Sequence, residues 1–271
     1  MAKFKSKILN GSDLAGFITQ RQLQQVRRLM VTPKLAIVQT KDDLVIDLYV
    51  RLKQAYGEDI GVAVESHMVN QTKALDLITE LNDDADTHGI IIQLPLEDVS
   101  ETERIINAVD VSKDVDALAE GTLFTSATAT AISWLLAGYN IELKGKQIAV
   151  VGQGLLVGGP LSDLLEASGL DVVRCDRSTE NLEEVIKSSE IIISGTGSPG
   201  LIKSDWVQPH SVMVDAGTSS DSGGVVGDLE PRVRERNDLI ITPEKGGVGP
   251  LTVCALFENV IEAATRQTES A

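Results

Sequence analysis

Two groups of residues have types and spacings that can do chemistry. In the stretch IAVVGQGLLVGGP, Gly152, Gly154 and Gly158 form a G-x-G-x-x-x-G pattern at the end of an apolar run. Such glycines permit a tight turn and a close approach of backbone to a pyrophosphate held at the following helix N-terminus. The spacing is one residue longer than the usual dinucleotide fingerprint, and it also suits a strand-to-helix turn with no ligand. Asp176 follows Gly154 by 176 − 154 = 22 residues, near the ~20 expected of an acid that accepts from a ribose 2′-hydroxyl. A helix-capping or loop acid fits the same place. The second group is Tyr49, Lys53, Gln93 and Asp116. Tyr49 and Lys53 are four apart, so a helix puts them on one face, one turn apart. Gln93 ends an apolar strand, where α/β sheets place ligand groups, and Asp116 follows in a loop. A lysine beside an amide and beneath an aromatic ring can have its pKa lowered enough to transfer protons or orient water. Taken singly, these residues also suit a surface pair, a strand-end turn and a solvated loop acid.

The elements that must position these groups alternate short β-branched runs with longer amphipathic segments, the pattern of βαβ units and a parallel sheet. In the first half, 35–39, 61–69 and 89–95 read as strands, and 12–30, 43–56, 72–84 and 100–110 as helices. A second series has strands at 147–152, 170–175, 190–195, 211–217 and 238–242, with helices near 158–168 and 179–188. The small, polar stretch 120–131 reads as the domain junction, and 251–265 as an amphipathic helix. The fold class expected is α/β with two domains: a substrate domain over 1–120 completed by a helix at 251–267, and a Rossmann-like domain with a parallel sheet over 121–243.

Composition narrows the function. At 271 residues the chain has length for roughly two domains. A net charge of −16 argues against nucleic-acid or anionic-membrane surfaces, which need clustered Lys and Arg. No run approaches the ~18 apolar residues of a membrane span, and the first residues lack the apolar core of a signal peptide. Cys175 and Cys254 lie far apart, as expected of a reduced, cytoplasmic protein. His67, His88 and His210 are scattered, so no metal site is expected.

Over nearly its whole length the chain resembles the methylenetetrahydrofolate dehydrogenase/cyclohydrolase family. The resemblance is carried by Tyr49-Val50-Arg51-Leu52-Lys53, Gln93-Leu94-Pro95-Leu96, Lys113-Asp114-Val115-Asp116, Val150-Val151-Gly152 with Val157-Gly158-Gly159-Pro160, Val226-Gly227-Asp228, and Gly246-Gly247-Val248-Gly249-Pro250-Leu251-Thr252. It accounts for the longer glycine spacing, and it implies two α/β domains with a cleft between them, a C-terminal helix on the first domain and a homodimer. It also implies oxidation of 5,10-methylenetetrahydrofolate to the methenyl form with NAD(P), then hydrolysis to 10-formyltetrahydrofolate, in one-carbon metabolism and purine biosynthesis. On this resemblance Lys53 is the catalytic lysine, tuned by Gln93. Tyr49 packs on the folate and Asp116 anchors its pterin ring, with Leu94, Pro95, Gly247, Gly249 and Pro250 also on the substrate. The cofactor would contact Gly152, Gln153, Gly154, Val157, Gly158, Asp176, Arg177, Gly195, Thr196, Gly217 and Thr218.

The chain departs from the family pattern in places. Ile46 stands for a serine, Ala55 for a second lysine and Ala117 for the glycine after the anchoring aspartate. Ser126-Ala127-Thr128-Ala129 stands for Pro-Cys-Thr-Pro, Glu97 for a proline, and Glu244-Lys245 for Val-Pro. Lost prolines should loosen the loops they occupied. A dehydrogenase-only member is therefore one alternative, and a non-catalytic folate- or nucleotide-binding relative another. NADP-using members carry Arg-Ser where this chain has Gln153-Gly154. Asp176 would repel a 2′-phosphate and accept from a free hydroxyl, so NAD is expected over NADP, with Arg177 the residue that could serve a phosphate. Both ligands are anionic, so the acidic chain must be offset locally by the helix after Gly154 and by Lys53 and Arg177.

Overall fold

Each apolar, β-branched run pairs in parallel with its neighbours, and parallel pairing demands a crossover, which the amphipathic segments supply as helices. The computed structural model describes residues 6–221 and 224–270. In chain order the elements are β1 (Lys7–Ile8), α1 (Gly11–Val26), β2 (Lys34–Gln39), α2 (Leu44–Ile60), β3 (Ala63–Met68), α3 (Ala74–Asp83), β4 (Gly89–Ile92), α4 (Thr102–Ile106) and α5 (Ala127–Gly138). There follow β5 (Gln147–Val151), α6 (Gly158–Ala167), β6 (Asp171–Cys175), α7 (Leu182–Ser188), β7 (Ile191–Ser194), β8 (Val212–Asp215), β9 (Ser219–Asp221), β10 (Gly224–Val226), α8 (Pro231–Arg234), β11 (Ile240–Ile241) and α9 (Val248–Ser270).

Two compact units result. One comprises the chain up to Ala15 with Thr128–Thr252, the other Gly16–Ala127 with Val253 onward. Among the described residues the first has a parallel sheet of order β1-β11-β8-β7-β5-β6 and a small β10-β9 hairpin. The second has the parallel sheet β3-β2-β4. Residues 6–15, expected in the substrate domain, belong instead to the six-strand unit, because β1 pairs with β11. That unit also runs to Thr252 rather than ending at residue 243.

In the three-strand unit one sheet face, Ala36, Val38, Ile90 and Ile92, packs on Ala74, Ile78 and Leu81 of α3 in a buried core. The opposite face receives α2. Gly57 of α2 lies so near β3 that a Cβ there would come within 2.5 Å of Val64 Cγ2 and 3.3 Å of Phe257 Cε1 in α9. Gln22 donates to the Cys254 carbonyl and Asn259 to the carbonyls of Val115 and Thr125, which ties α9 into this unit. The boundary between the two units falls at Ala127/Thr128, within the stretch 120–131, and α5 starts there; its ATATAISWLLAG sequence mixes small, polar and apolar residues with no clear amphipathic period. The first helix stops at Val26 rather than residue 30, and the last begins at Val248 and runs to Ser270. No helix among the described residues is long and apolar enough to cross a membrane.

Candidate active site

Helix α2 is held at both ends, and this fixes Tyr49 and Lys53. Asp43 caps its start, accepting from the Val45 and Ile46 amides, a device that contributes about 1 kcal/mol. Gly61 stops it in the left-handed conformation at φ +82°. Lys53 then lies half-buried, one turn on from Tyr49, with its Nζ donating to Gln93 Oε1 at 2.7 Å. Gln93 follows β4 directly. Its own amide donates to the Val38 carbonyl, and its Nε2 to the Leu94 carbonyl at 3.2 Å, so the acceptor face of its carboxamide is turned to the lysine.

Asp116 sits in a loop held by the motif residues before it. The buried Lys113 Nζ donates to the carbonyls of Leu81, Asn82 and Asp84, filling the open end of α3. Asp114 accepts from the Ala119 amide, and the Lys113 carbonyl accepts from Ile90 in β4. Burial pushes the Lys53 amine down from its ordinary value, against the pull of Asp116. Burial pushes the Asp116 carboxyl up, with Lys53 opposing and Asp114 adding to the rise. The two groups are thus driven toward each other in pKa, which favours holding or passing a proton between the charged and neutral forms of each.

The loop also stores strain. Ala117 stands at φ +59°, in the left-handed region that favours glycine. Ala117→Gly should therefore raise stability by up to about 1 kcal/mol, strain relief outweighing the extra freedom of the unfolded chain. Thermal melting checks this, and an unchanged or lower Tm contradicts it. Glu97, where the family has proline, donates its amide to Thr40 Oγ1 at 3.2 Å, a bond proline cannot make. Ile46 is buried in α2 at the position of the family serine.

In the six-strand unit the glycine-rich turn joins β5 to α6. Gly152 has φ +94°, and a Cβ on Gly158 would fall 1.6 Å from the Gly152 carbonyl oxygen, so the start of α6 packs directly on the turn. Gly154 has open space where a Cβ would be, leaving its backbone approachable. A Cβ on Gly195 would meet Val157 Cγ1 at 2.7 Å. These positions, with Thr196, Gly217 and Thr218, follow the carboxyl ends of β5, β7 and β8, the edge where open parallel sheets take ligands. Gln153 folds back: its Nε2 donates to the Val150 carbonyl and its Oε1 accepts from Ser162, so only its backbone faces a ligand. Asp176 directly follows β6, exposed, and accepts from the amide and hydroxyl of Ser178, which holds its pKa low and the group ionised. Arg177 is exposed beside it. Gly247, Gly249 and Pro250 fall in the six-strand unit, where Gly246 turns the chain at φ +79°.

Two family models match the chain: the tetrahydrofolate dehydrogenase/cyclohydrolase catalytic domain over residues 9–116, and that family's NAD(P)-binding domain over residues 126–268. The chain belongs to the tetrahydrofolate dehydrogenase/cyclohydrolase family. The bifunctional protein FolD of Hydrogenobaculum sp. (strain Y04AAS1) is 37% identical, over 94% of this chain and 98% of its own. The crystal structure of the bifunctional FolD enzyme from Campylobacter jejuni has a TM-score of 0.90 at 30% identity, covering 96% of this chain and 99% of that one. The Trypanosoma brucei methylenetetrahydrofolate dehydrogenase-cyclohydrolase, complexed with NADP cofactor and an inhibitor, has a TM-score of 0.90 at 26% identity, covering 97% and 99%. As a tetrahydrofolate dehydrogenase/cyclohydrolase, the protein carries an α/β catalytic domain and a Rossmann-like NAD(P)-binding domain. Sequence reasoning gave no role to Lys113, Asp114, Asp215 or Asp228, although three of them lie in motifs it singled out. Motifs mark positions, whereas these side chains act through hydrogen bonds that only the fold discloses.

Proposed function

We propose that the protein oxidises 5,10-methylenetetrahydrofolate to the methenyl form with a nicotinamide dinucleotide, and that Lys53 then directs water addition leading to 10-formyltetrahydrofolate. The observation that carries this reading is the half-buried Lys53 amine hydrogen-bonded to Gln93, with Asp116 as its nearby charge partner. When bound, the nicotinamide supplies the hydride acceptor, and the rest is the work of the chain. The Gly152–Gly158 turn fits a dinucleotide, because the open space at Gly154 leaves backbone approachable by a pyrophosphate where α6 begins. Asp116, driven toward its protonated form, can hydrogen-bond the pterin ring, and Tyr49 can pack on it. Lys53, driven toward its neutral form, can take the proton of the water that adds to the methenyl carbon.

Gln93→Glu tests the lysine's part. A carboxylate 2.7 Å from Nζ favours the ammonium form and raises the Lys53 pKa. Hydrolysis that rises with pH as Lys53 loses its proton should then need a pH higher by about 1–3 units. Rates of methenyl loss across pH measure the shift, and a midpoint unchanged from wild type contradicts the assignment.

We further propose NAD as the preferred cofactor and a homodimer as the working form. Asp176 supports the first. The sheet order β3-β2-β4, which leaves β3 as an edge for a second chain to cover, supports the second. Both cysteines are buried thiols outside any disulfide, which fits a reducing, cytoplasmic setting.

A further inference from the structure

We propose that Asp228 is a positioning residue for the dinucleotide: its carboxylate holds the loop after β7 in the shape against which the glycine-rich turn is fitted. This rests on the reading that the turn binds a nicotinamide dinucleotide.

The carboxylate is fully buried and takes three donors from one short segment. Oδ2 accepts from the Ser194 hydroxyl at 2.6 Å and the Thr196 amide at 2.7 Å, and Oδ1 from the Ser198 amide at 2.9 Å. Asp228 is itself anchored, since its amide donates to Asp215 Oδ1 at 3.0 Å. Asp215 is held in turn by Arg234 at 2.5 Å and by the Gly217 amide at 3.1 Å. Space for the two carboxylates comes from glycines. A Cβ on Gly217 would fall 2.2 Å from Asp228 Oδ1, and one on Gly227 2.1 Å from Asp215 Oδ2.

The clamped loop bears directly on the turn. Gly195 O is 2.8 Å from where a Cβ on Gly152 would stand, and Gly195 itself has no room for a Cβ beside Val157. With contacts this close, displacement of 194–198 is passed to the turn and to the opening of α6. Every donor to the Asp228 carboxylate given above lies at the carboxyl edge of the sheet, where ligands bind. The sheet itself is held by its own ladder of backbone bonds, to which Asp228 adds nothing.

Asp228→Asn puts an amide NH2 against at least one of these donors. The test compares three readouts with wild type: NADH binding followed by fluorescence, the KM for NAD, and the rate of methenyltetrahydrofolate hydrolysis. NADH affinity should fall about tenfold or more, with the KM for NAD rising in step. Folate KM and hydrolysis, which need no dinucleotide, should stay within about twofold of wild type. NADH affinity within twofold of wild type overturns the proposal, as does a loss of hydrolysis in parallel with binding. If the Asn variant does not fold, Ser194→Ala removes one donor and should weaken NADH binding alone; unchanged binding overturns the proposal equally. A wild-type protein that binds NADH but oxidises no methylenetetrahydrofolate contradicts the proposed reaction, while the binding comparison still decides the role of Asp228.

Discussion

Lys53→Met should cut the rate of methenyl hydrolysis by about 10²–10⁴-fold, the range that a positioned proton-transfer group contributes. The substitution keeps a long, unbranched side chain in the same space and removes only the amine that donates to Gln93. The protein should not lose stability with it. Burial depresses the lysine from its ordinary value near 10.5. Between the depressed value and 10.5 the unfolded chain therefore binds more protons than the folded one. Its stability consequently rises with pH through that window, and the lysine costs stability at neutral pH. A melting temperature at or above wild type, with hydrolysis lost, separates chemistry from folding. Hydrolysis near the wild-type rate removes Lys53 from the mechanism.

The second large effect concerns the choice of dinucleotide. Asp176 is exposed and ionised at the end of β6, and Gln153, where NADP-using members of the family carry arginine, has its side chain folded inward on Val150 and Ser162. A 2′-phosphate would meet a carboxylate there, with Arg177 the adjacent cation. The ratio of kcat/KM for NAD over NADP should exceed about tenfold, like charges at close range being only partly screened. Asp176→Ser should narrow that ratio by restoring NADP use. A preference for NADP that survives Arg177→Ala contradicts this assignment.

Local features of the molecule were legible in the sequence, and long-range ones were not. The apolar run into Gly152 and the helix after Gly158 are contiguous, so their shape could be read from the residues themselves. Lys53 and Gln93 are 40 residues apart; their helix and strand were readable, but their 2.7 Å contact depends on how α2 lies on the sheet. Strand β1 is two residues long, and its partner β11 stands at the far end of the chain, so no local pattern marks it. Helix α5 escaped notice because its small and hydroxyl-bearing residues, ATATAIS, blur the apolar period that betrays an amphipathic helix. The inward turn of Gln153 is equally invisible, since glutamine at a turn suits solvent as well as it suits the Val150 carbonyl. Ala117 was visible only as a departure from the family glycine; its positive φ gives that departure a physical cost.

The most direct measurement follows the purified protein with 5,10-methylenetetrahydrofolate and NAD, reading dinucleotide reduction and methenyl absorbance together. Reduction that depends on the folate, with methenyl absorbance rising and then decaying as 10-formyltetrahydrofolate forms, is the predicted result. No folate-dependent reduction of either NAD or NADP would contradict the account.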